Sequence, residues 1–339
     1  MSADDPQVPW TDEQWTRVNQ VIQEEASRAR VAATFLPLVG PLSADSDFVR
    51  REIIPADPPL QILDREVTQL ATLQVKVRVR SAQMADPELR SVLALFRRAA
   101  NVLARLEDAV VFRGLRPAVP PPPVQPPGGL TGLPAIWEIH GAQGTPGLWQ
   151  DLPPAPWPSI PPFPAPSGWQ WVPVRWTSVL DAGEGLVTAV STAIGQLEDH
   201  GHFGPFAVVL GQGLFVIAQT PERASMVLPQ DRIIPFLGGG PLLRSSTLDR
   251  YDGYSGVVVA LGGAPVELVV AADMSLQFLQ VTEDPIFLFR VRERIALRIK
   301  EGDAIVRLYP PDDVTVPPPA APPPPSGGGT RAARRRRKQ

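Results

Sequence analysis

The sequence of 339 residues contains no cysteine and only three histidines. The absence of cysteine excludes disulfide bonds, thiolate nucleophiles and cysteine-ligated metal centres. No run approaches the roughly 18 apolar residues that a membrane-spanning helix needs, and the acidic start MSADDPQVPW has no apolar signal core. We therefore expect a cytoplasmic protein without a membrane span.

Proline, in contrast, is abundant: there are 42 in the chain, well over twice the usual share of about 5%. Eighteen of them fall between Pro117 and Pro173, together with five tryptophans. Because proline fixes φ and lacks an N–H donor, this Pro/Trp segment should be extended and partly polyproline II, without helices or inner strands. It could be a docking surface for other proteins or an inert spacer.

The C-terminal residues form a proline- and glycine-rich linker followed by a basic tail. The net charge of the chain is −3, so without the six basic residues of the tail the remainder carries −9. The tail either attracts nucleic acid or an acidic surface weakly, without sequence specificity, or only aids solubility. Its basic residues are Arg331, Arg334, Arg335, Arg336, Arg337 and Lys338.

Helical signals dominate the first third of the chain. Thr11 and Gln14 match a capping box, with Trp10 and Trp15 at the staple positions, which predicts a helix from Thr11 that ends before Pro37. A second, long helix is predicted after Asp86 and Pro87, an N-cap and a first-turn proline, with Gly114 as its C-cap. A third is predicted from about residue 177 to His200.

Strand signals dominate later. Val75, Val77 and Val79 alternate with Lys76, Arg78 and Arg80 and predict a strand with one apolar and one cationic face. Because helices come first and strands later, the pattern favours an α+β fold over α/β. Further strands are predicted at 206–210, 214–218, 256–261, 266–272, 275–281 and 286–299.

Catalytic and metal-binding motifs are missing from the sequence. Asp199, His200 and His202 are the one group that could hold a metal, but they lack a further ligand at metal-binding spacing, and a histidine at a helix end often caps carbonyls instead. Glu107 and Asp108 are adjacent in sequence, would not share one helix face and are interpreted as solvated charges. We predict no catalytic, cofactor-binding or metal site, and hence no enzyme.

Three stretches, in this order, resemble the shell proteins of encapsulin compartments, the linocin-like family. They are PWTDEQW at 9–15, LEDAVVFRG at 106–114 and HGHFGPFAVVLG at 200–211. They are similar, respectively, to the start of the family's N-terminal helix, the end of its spine helix, and the turn and strand after the first helix of its axial domain. The resemblance covers most of residues 9–116 and 176–300.

The resemblance implies an α+β, tailed-phage (Hong Kong 97-type) major capsid fold with a peripheral domain, an extended loop and an axial domain. Its expected divisions are 1–45 (N-terminal helix and start of the peripheral domain), 46–80 (extended loop), 81–116 (spine helix), 117–175 (Pro/Trp-rich insertion), 176–262 (axial domain), 263–312 (peripheral strands) and 313–339 (linker and basic tail).

The function implied by the resemblance is that of a structural shell protein, which self-assembles into an icosahedral nanocompartment around a peroxidase or ferritin-like cargo enzyme. Its partners would be further copies of itself and a cargo enzyme with a C-terminal targeting peptide. The family's cargo-peptide groove would correspond here to Ile22, Ala26, Ala29, Arg30 and Ala33, and no cofactor is implied. Two alternatives stay open: a prophage capsid protein that packages DNA, and a partner-binding scaffold acting through the Pro/Trp segment and the tail.

Overall fold

The computed structural model describes most of the chain between residues 8 and 309. The described ranges are 8–43, 45–55, 61–115, 136–142, 144–149, 170–176, 181–222, 226–249, 253–282, 284 and 286–309. The helices in these ranges are α1 (Asp12–Ala29), α2 (Ala32–Phe35), α3 (Ser81–Met84), α4 (Arg90–Arg113), α5 (Ala182–Asp199), α6 (Gln212–Ala218) and α7 (Pro229–Ile233). None of them is apolar over a length that would cross a bilayer.

The strands form two five-stranded sheets and one separate hairpin. The first sheet has the order β1-β10-β11-β4-β5, the second has the order β6-β12-β9-β7-β8, and β2 pairs only with β3. The strands are β1 (Leu38–Val39), β2 (Phe48–Ile53), β3 (Leu63–Gln69), β4 (Ala71–Arg80), β5 (Trp137–His140), β6 (Gln170–Pro173), β7 (Phe206–Leu210), β8 (Leu242–Arg244), β9 (Gly256–Ala260), β10 (Val266–Val281), β11 (Ile286–Ile299) and β12 (Ile305–Tyr309).

The start of α1 is as predicted. The Gln14 backbone N–H donates to Thr11 Oγ1 at 3.3 Å, and the Thr11 N–H donates to Gln14 Oε1 at 3.0 Å, which completes the capping box. The Trp10 and Trp15 rings meet edge to face with centroids 4.9 Å apart, and Trp10 also stacks on Phe289 of β11. These aromatic contacts fix the helix against the first sheet.

The long helix α4 ends at Gly114 as predicted, but its start differs. Gly114 has φ +69°, and a Cβ there would lie 2.3 Å from the Thr145 carbonyl oxygen, so both conformation and space require glycine. The N-cap is Leu89 rather than Asp86. Asp86 still stabilises the start of the helix, because its carboxylate accepts a hydrogen bond from the Arg90 N–H at 3.1 Å.

The first sheet packs one face on α1 and α4. In β4 the predicted alternation holds, with Val75, Val77 and Val79 buried and the basic residues between them exposed. β4 lies between β11 and β5 in this sheet. The expected extended loop at 46–80 therefore includes both the separate hairpin β2–β3 and the sheet strand β4.

The second sheet packs one face against α5 and the other against the core around α4. Burial on both faces explains why β7 and β9 are continuous apolar runs. β12 belongs to this sheet, whereas β10 and β11, which fall in the same expected segment 263–312, belong to the first sheet.

Two further strand predictions need correction. The predicted strand at 214–218 is helical, as part of α6, whereas those at 266–272 and 275–281 are one strand, β10, with irregular pairing to β11 around Ala272. The apolar run LFVIA at 214–218 does not by itself distinguish a short helix from a strand. The third predicted helix, from about 177, begins at Ala182 among the described residues.

Strands β5 and β6 of the Pro/Trp segment each lie at a sheet edge, whereas residues 144–149 form no strand and place Leu148 and Trp149 in the core. β5 pairs with β4 at one edge of the first sheet, and β6 pairs with β12 at one edge of the second. This agrees with the prediction, because proline is tolerated at a sheet edge, where its missing N–H is not needed. Residues 150–169 of this segment lie outside the described residues, as does the basic tail.

Candidate functional site

The end of α1 carries the residues predicted to form the cargo-peptide groove. Ile22 and Ala26 are 1% and 0% exposed, within the apolar core, so they support a groove only from beneath. Ala29 and Ala33 are half-buried at the edge of this core. The side chain of Arg30, which lies between these two alanines in sequence, is 13% exposed. Of the five residues, Ala29, Arg30 and Ala33 are therefore the ones that stay partly accessible.

Arg30 is held by three carboxylates from distant parts of the chain. Its Nε lies 2.6 Å from Glu107 Oε2 on α4, and its Nη2 lies 2.9 Å from Asp273 Oδ1 on β10 and 2.5 Å from Glu293 Oε1 on β11. The side chains of Glu107 and Glu293 are each only 1% exposed. Burial lowers the pKa of Arg30, but these carboxylates outweigh that effect and raise the pKa above its ordinary value.

Asp108 fixes the backbone just after α1. Its Oδ1 accepts hydrogen bonds from the backbone N–H groups of Val31 at 3.0 Å and Ala32 at 2.8 Å. These donors stand at the start of α2, which has no side-chain cap of its own. We refer to Arg30, Glu107, Asp108, Asp273 and Glu293 together as the α1 junction.

The interpretation of Glu107 and Asp108 as solvated charges is therefore wrong. The two side chains point in different directions, as expected for adjacent residues of a helix. Each nevertheless has a partner in the segment that follows α1: Glu107 pairs with Arg30, and Asp108 accepts the Ala32 N–H. Burial raises the pKa values of Glu107 and Glu293, because one guanidinium balances only one of two buried carboxylates. Burial, and then the charge of Glu107, raise the pKa of Asp108 to about 8.

The hairpin β2–β3 shows the opposite arrangement, with apolar side chains in solvent. Phe48, Ile62 and Val67 are 56%, 62% and 61% exposed, and Leu63 is 43% exposed. Strand β2 is held along β11 by the Arg294–Asp47 pair at 2.6 Å, at the start of the strand, and by the Arg298–Glu52 pair at 3.5 Å, near its end. The hairpin is thus held against the first sheet at both ends of β2, while the four apolar residues lack cover from the described part of the chain.

The structure separates Asp199, His200 and His202, the group that was predicted from the sequence not to form a metal site. The exposed His200 lies 2.8 Å from the Gln196 carbonyl oxygen through Nδ1, as expected of a histidine at a helix end, and Asp199 is exposed. His202 instead points to Asp303, with 3.1 Å between Nε2 and Oδ1, and Glu301 stands nearby. The sequence offered no local signal for this group, because its members lie about 100 residues apart.

The arrangement of a long helix on one sheet, a second helix-covered sheet and a protruding hairpin is that of a tailed-phage capsid protein. The fold is similar to the crystal structure of the virus-like particle from Pyrococcus furiosus, with a TM-score of 0.56 and 16% identity, covering 88% of this chain and 100% of that one. It is also similar to the capsid of Myoviridae phage XM1, with a TM-score of 0.50 and 11% identity over 81% of this chain and 89% of that one.

Within this fold class, the sequence identifies the family. Residues 3–119 and 174–296, more than half of the chain, match the Linocin_M18 family, described as encapsulating protein for peroxidase. The chain belongs to this family and is an encapsulin shell protein. It is 36% identical over 135 residues to the type 1 encapsulin shell protein EncA of Myxococcus xanthus (strain DK1622), a match that spans 39% of this chain and 43% of that relative. The gap between the matched ranges falls in the Pro/Trp segment.

Proposed function

We propose that copies of this chain assemble in the cytoplasm into a closed icosahedral shell that encloses a cargo enzyme. The observation that carries the proposal is the hairpin β2–β3, which exposes four large apolar side chains outside both sheets. An isolated two-stranded hairpin is marginally stable in water, and clustered exposed apolar residues mark an interaction surface. A neighbouring copy that covers them supplies the missing partner.

The anchoring of strand β2 supports the same assembly. Because Asp47 and Glu52, at the two ends of β2, pair with arginines of β11, the hairpin has a fixed position against the first sheet. A rigid arm that reaches a neighbour makes a heterologous contact, and repetition of such contacts with suitable rotations closes a shell. A flexible arm would lose more entropy on each contact.

We further propose that the cargo is a peroxidase or a ferritin-like enzyme whose C-terminal peptide binds beside Ala29, Arg30 and Ala33. The family description supports a peroxidase. The two small side chains of Ala29 and Ala33 form a shallow surface that suits small apolar residues of a bound peptide. In this proposal the cargo enzyme catalyses the reaction and the shell protein only encloses it. The basic tail of the shell protein makes weak contacts with nucleic acid or acidic surfaces.

Assembly is tested on the purified full-length protein by size-exclusion chromatography with light scattering and by negative-stain microscopy. We expect a uniform population of closed particles. A species with the mass of a single chain and a field without particles would contradict the proposal. Nuclease-resistant DNA inside the particles would support the phage-capsid alternative instead of an enzyme container.

The groove is tested by adding the same charge at two neighbouring positions of α1. Ala29→Glu places a carboxylate at the proposed peptide surface, whereas Ser27→Glu places it on the exposed face of the helix. Each variant is co-expressed with a reporter protein that carries the C-terminal segment of the candidate cargo enzyme. We expect at least about a tenfold loss of encapsulated reporter for Ala29→Glu alone, since a buried unpaired charge costs several kcal/mol. Equal loading by both variants would refute the groove.

A further inference from the structure

His202, Glu301 and Asp303 bring three metal-ligand groups together at the junction of the two sheets. His202 lies in the turn between α5 and β7, while Glu301 and Asp303 lie in the short link from β11 of the first sheet to β12 of the second. One ligand atom from each of the three side chains lies within 4.8 Å of the others. The group thus connects the crossover between the sheets to a separate turn.

The backbone on both sides of this group is fixed. The His202 N–H donates to the Leu197 carbonyl at 2.9 Å, and the Lys300 and Glu301 N–H groups both donate to the Pro265 carbonyl, at 2.8 and 3.3 Å. The side chains of His202 and Asp303 are each only 9% exposed. Donor atoms on a fixed, mostly buried frame lose little entropy when they bind a ligand.

The charges of the group are unbalanced. Across the described ranges, no lysine or arginine pairs with Glu301 or Asp303, and the single contact of Asp303 with a basic side chain is that with His202. A protonated His202 balances one carboxylate and leaves the other uncompensated. A neutral imidazole with two carboxylates carries a charge of −2, which a divalent cation neutralises.

We propose that His202, Glu301 and Asp303 bind a divalent first-row transition ion of the zinc type. A mixed set of one imidazole nitrogen and carboxylate oxygens suits such an ion better than Mg²⁺ or Ca²⁺, which prefer oxygen ligands alone. Ligand atoms at about 2.1 Å from a tetrahedral ion stand roughly 3.4 Å apart, close to the 3.1 Å between His202 Nε2 and Asp303 Oδ1. Glu301 needs only a small side-chain movement to complete the set.

The bound ion would clamp the link between the sheets to the turn that precedes β7. An ion that binds only the folded chain stabilises it, and this stabilisation rises with the ratio of the free ion concentration to Kd. The site leaves one coordination position for water, and its role in this proposal is structural.

The test uses the assembled full-length protein, stripped with EDTA, dialysed and titrated with Zn²⁺ alone. Tight zinc is measured by mass spectrometry after desalting, and the melting temperature is recorded on the same samples. We expect about one tight zinc per chain and a higher melting temperature. Glu301→Gln keeps the His202–Asp303 contact and should weaken binding at least about tenfold, whereas His200→Ala, at an exposed histidine two residues away, should not.

Two results would overturn the site: absence of tight zinc in the stripped wild-type protein, or equal zinc uptake by the wild-type protein and Glu301→Gln. If Glu301→Gln forms no particles, Asp303→Asn provides the second comparison on the same criterion. Light scattering of each sample reports assembly separately, so failure of the metal site and failure of the shell proposal are distinguishable.

Discussion

The α1 junction and the hairpin β2–β3 both depart from the usual pattern of charged side chains outside and apolar side chains inside. The junction buries carboxylates and a guanidinium inside the chain, whereas the hairpin presents apolar side chains to solvent. Buried charge is expensive unless it is paired, and exposed apolar clusters are rare unless they are covered by a partner. Each region therefore violates a general rule and needs a compensation.

The compensations come from different places. At the junction, Arg30 and Asp108 find their partners within the same chain, so the end of α1 is fixed before any other subunit arrives. At the hairpin, no described part of the chain covers the apolar side chains, and in the proposed assembly a neighbouring copy covers them. The comparison predicts that junction variants lower the stability of each subunit, whereas hairpin variants prevent association without unfolding it.

Breaking the hairpin surface should have the largest effect. Val67→Asp combined with Leu63→Asp places charges where the proposed neighbour buries apolar surface, and each unpaired buried charge costs several kcal/mol at every repeated contact. We expect light scattering to show small species in place of particles, with the circular dichroism spectrum unchanged.

The matched control is Arg65→Gln, an exposed and already polar position on the same strand. It should still form particles. Particles of normal size from the double aspartate variant would show that the hairpin is not an assembly contact.

Breaking the α1 junction should have a smaller effect on assembly but a clear one on stability. Arg30→Met removes the guanidinium that Glu107 and Glu293 share, and loss of one partner from a buried ion pair costs about 3–5 kcal/mol. We expect a melting temperature several degrees lower, measured by circular dichroism. Arg28→Met, on the same helix with 74% side-chain exposure, should change stability by less than about 0.5 kcal/mol. Equal melting temperatures for the two variants would contradict the role of the junction.

The structural features that could be predicted from the sequence are those encoded within a few neighbouring residues. The capping box of α1 spans three residues, the C-cap of α4 is one glycine, and the alternation in β4 repeats every second residue. In each motif the neighbouring residues determine the local conformation, so the motif can be interpreted without knowledge of a distant partner.

The parts that it missed depend on contacts across the fold. Glu107 has the same local sequence whether or not Arg30 folds onto it, and nothing near His202 indicates that Asp303 lies beside it. The groove prediction shows the same limit, because helical spacing places Ile22 and Ala26 on one face of α1 but does not say that the sheet covers that face. Of the groove residues, those at the helix end remain accessible.

The pH dependence of stability provides a further test of the junction. Burial raises the pKa of Asp108 to about 8, whereas an unfolded aspartate titrates near about 3.9. The folded chain therefore holds a proton that the unfolded chain releases between these values, and stability should fall as the pH rises from about 4 to about 8.

Asp108→Asn removes this titration while its carbonyl oxygen can still accept the Val31 and Ala32 N–H groups, as Oδ1 does now. The melting temperature of the variant minus that of wild type should be larger at pH 8 than at pH 5. If this difference is the same at both pH values, the assignment is contradicted. Asp199→Asn, at an exposed aspartate, serves as the control and should leave the wild-type slope unchanged. Because Glu107 and Glu293 keep their raised pKa values, part of the slope should persist in Asp108→Asn, and the remainder measures what those two carboxyls contribute.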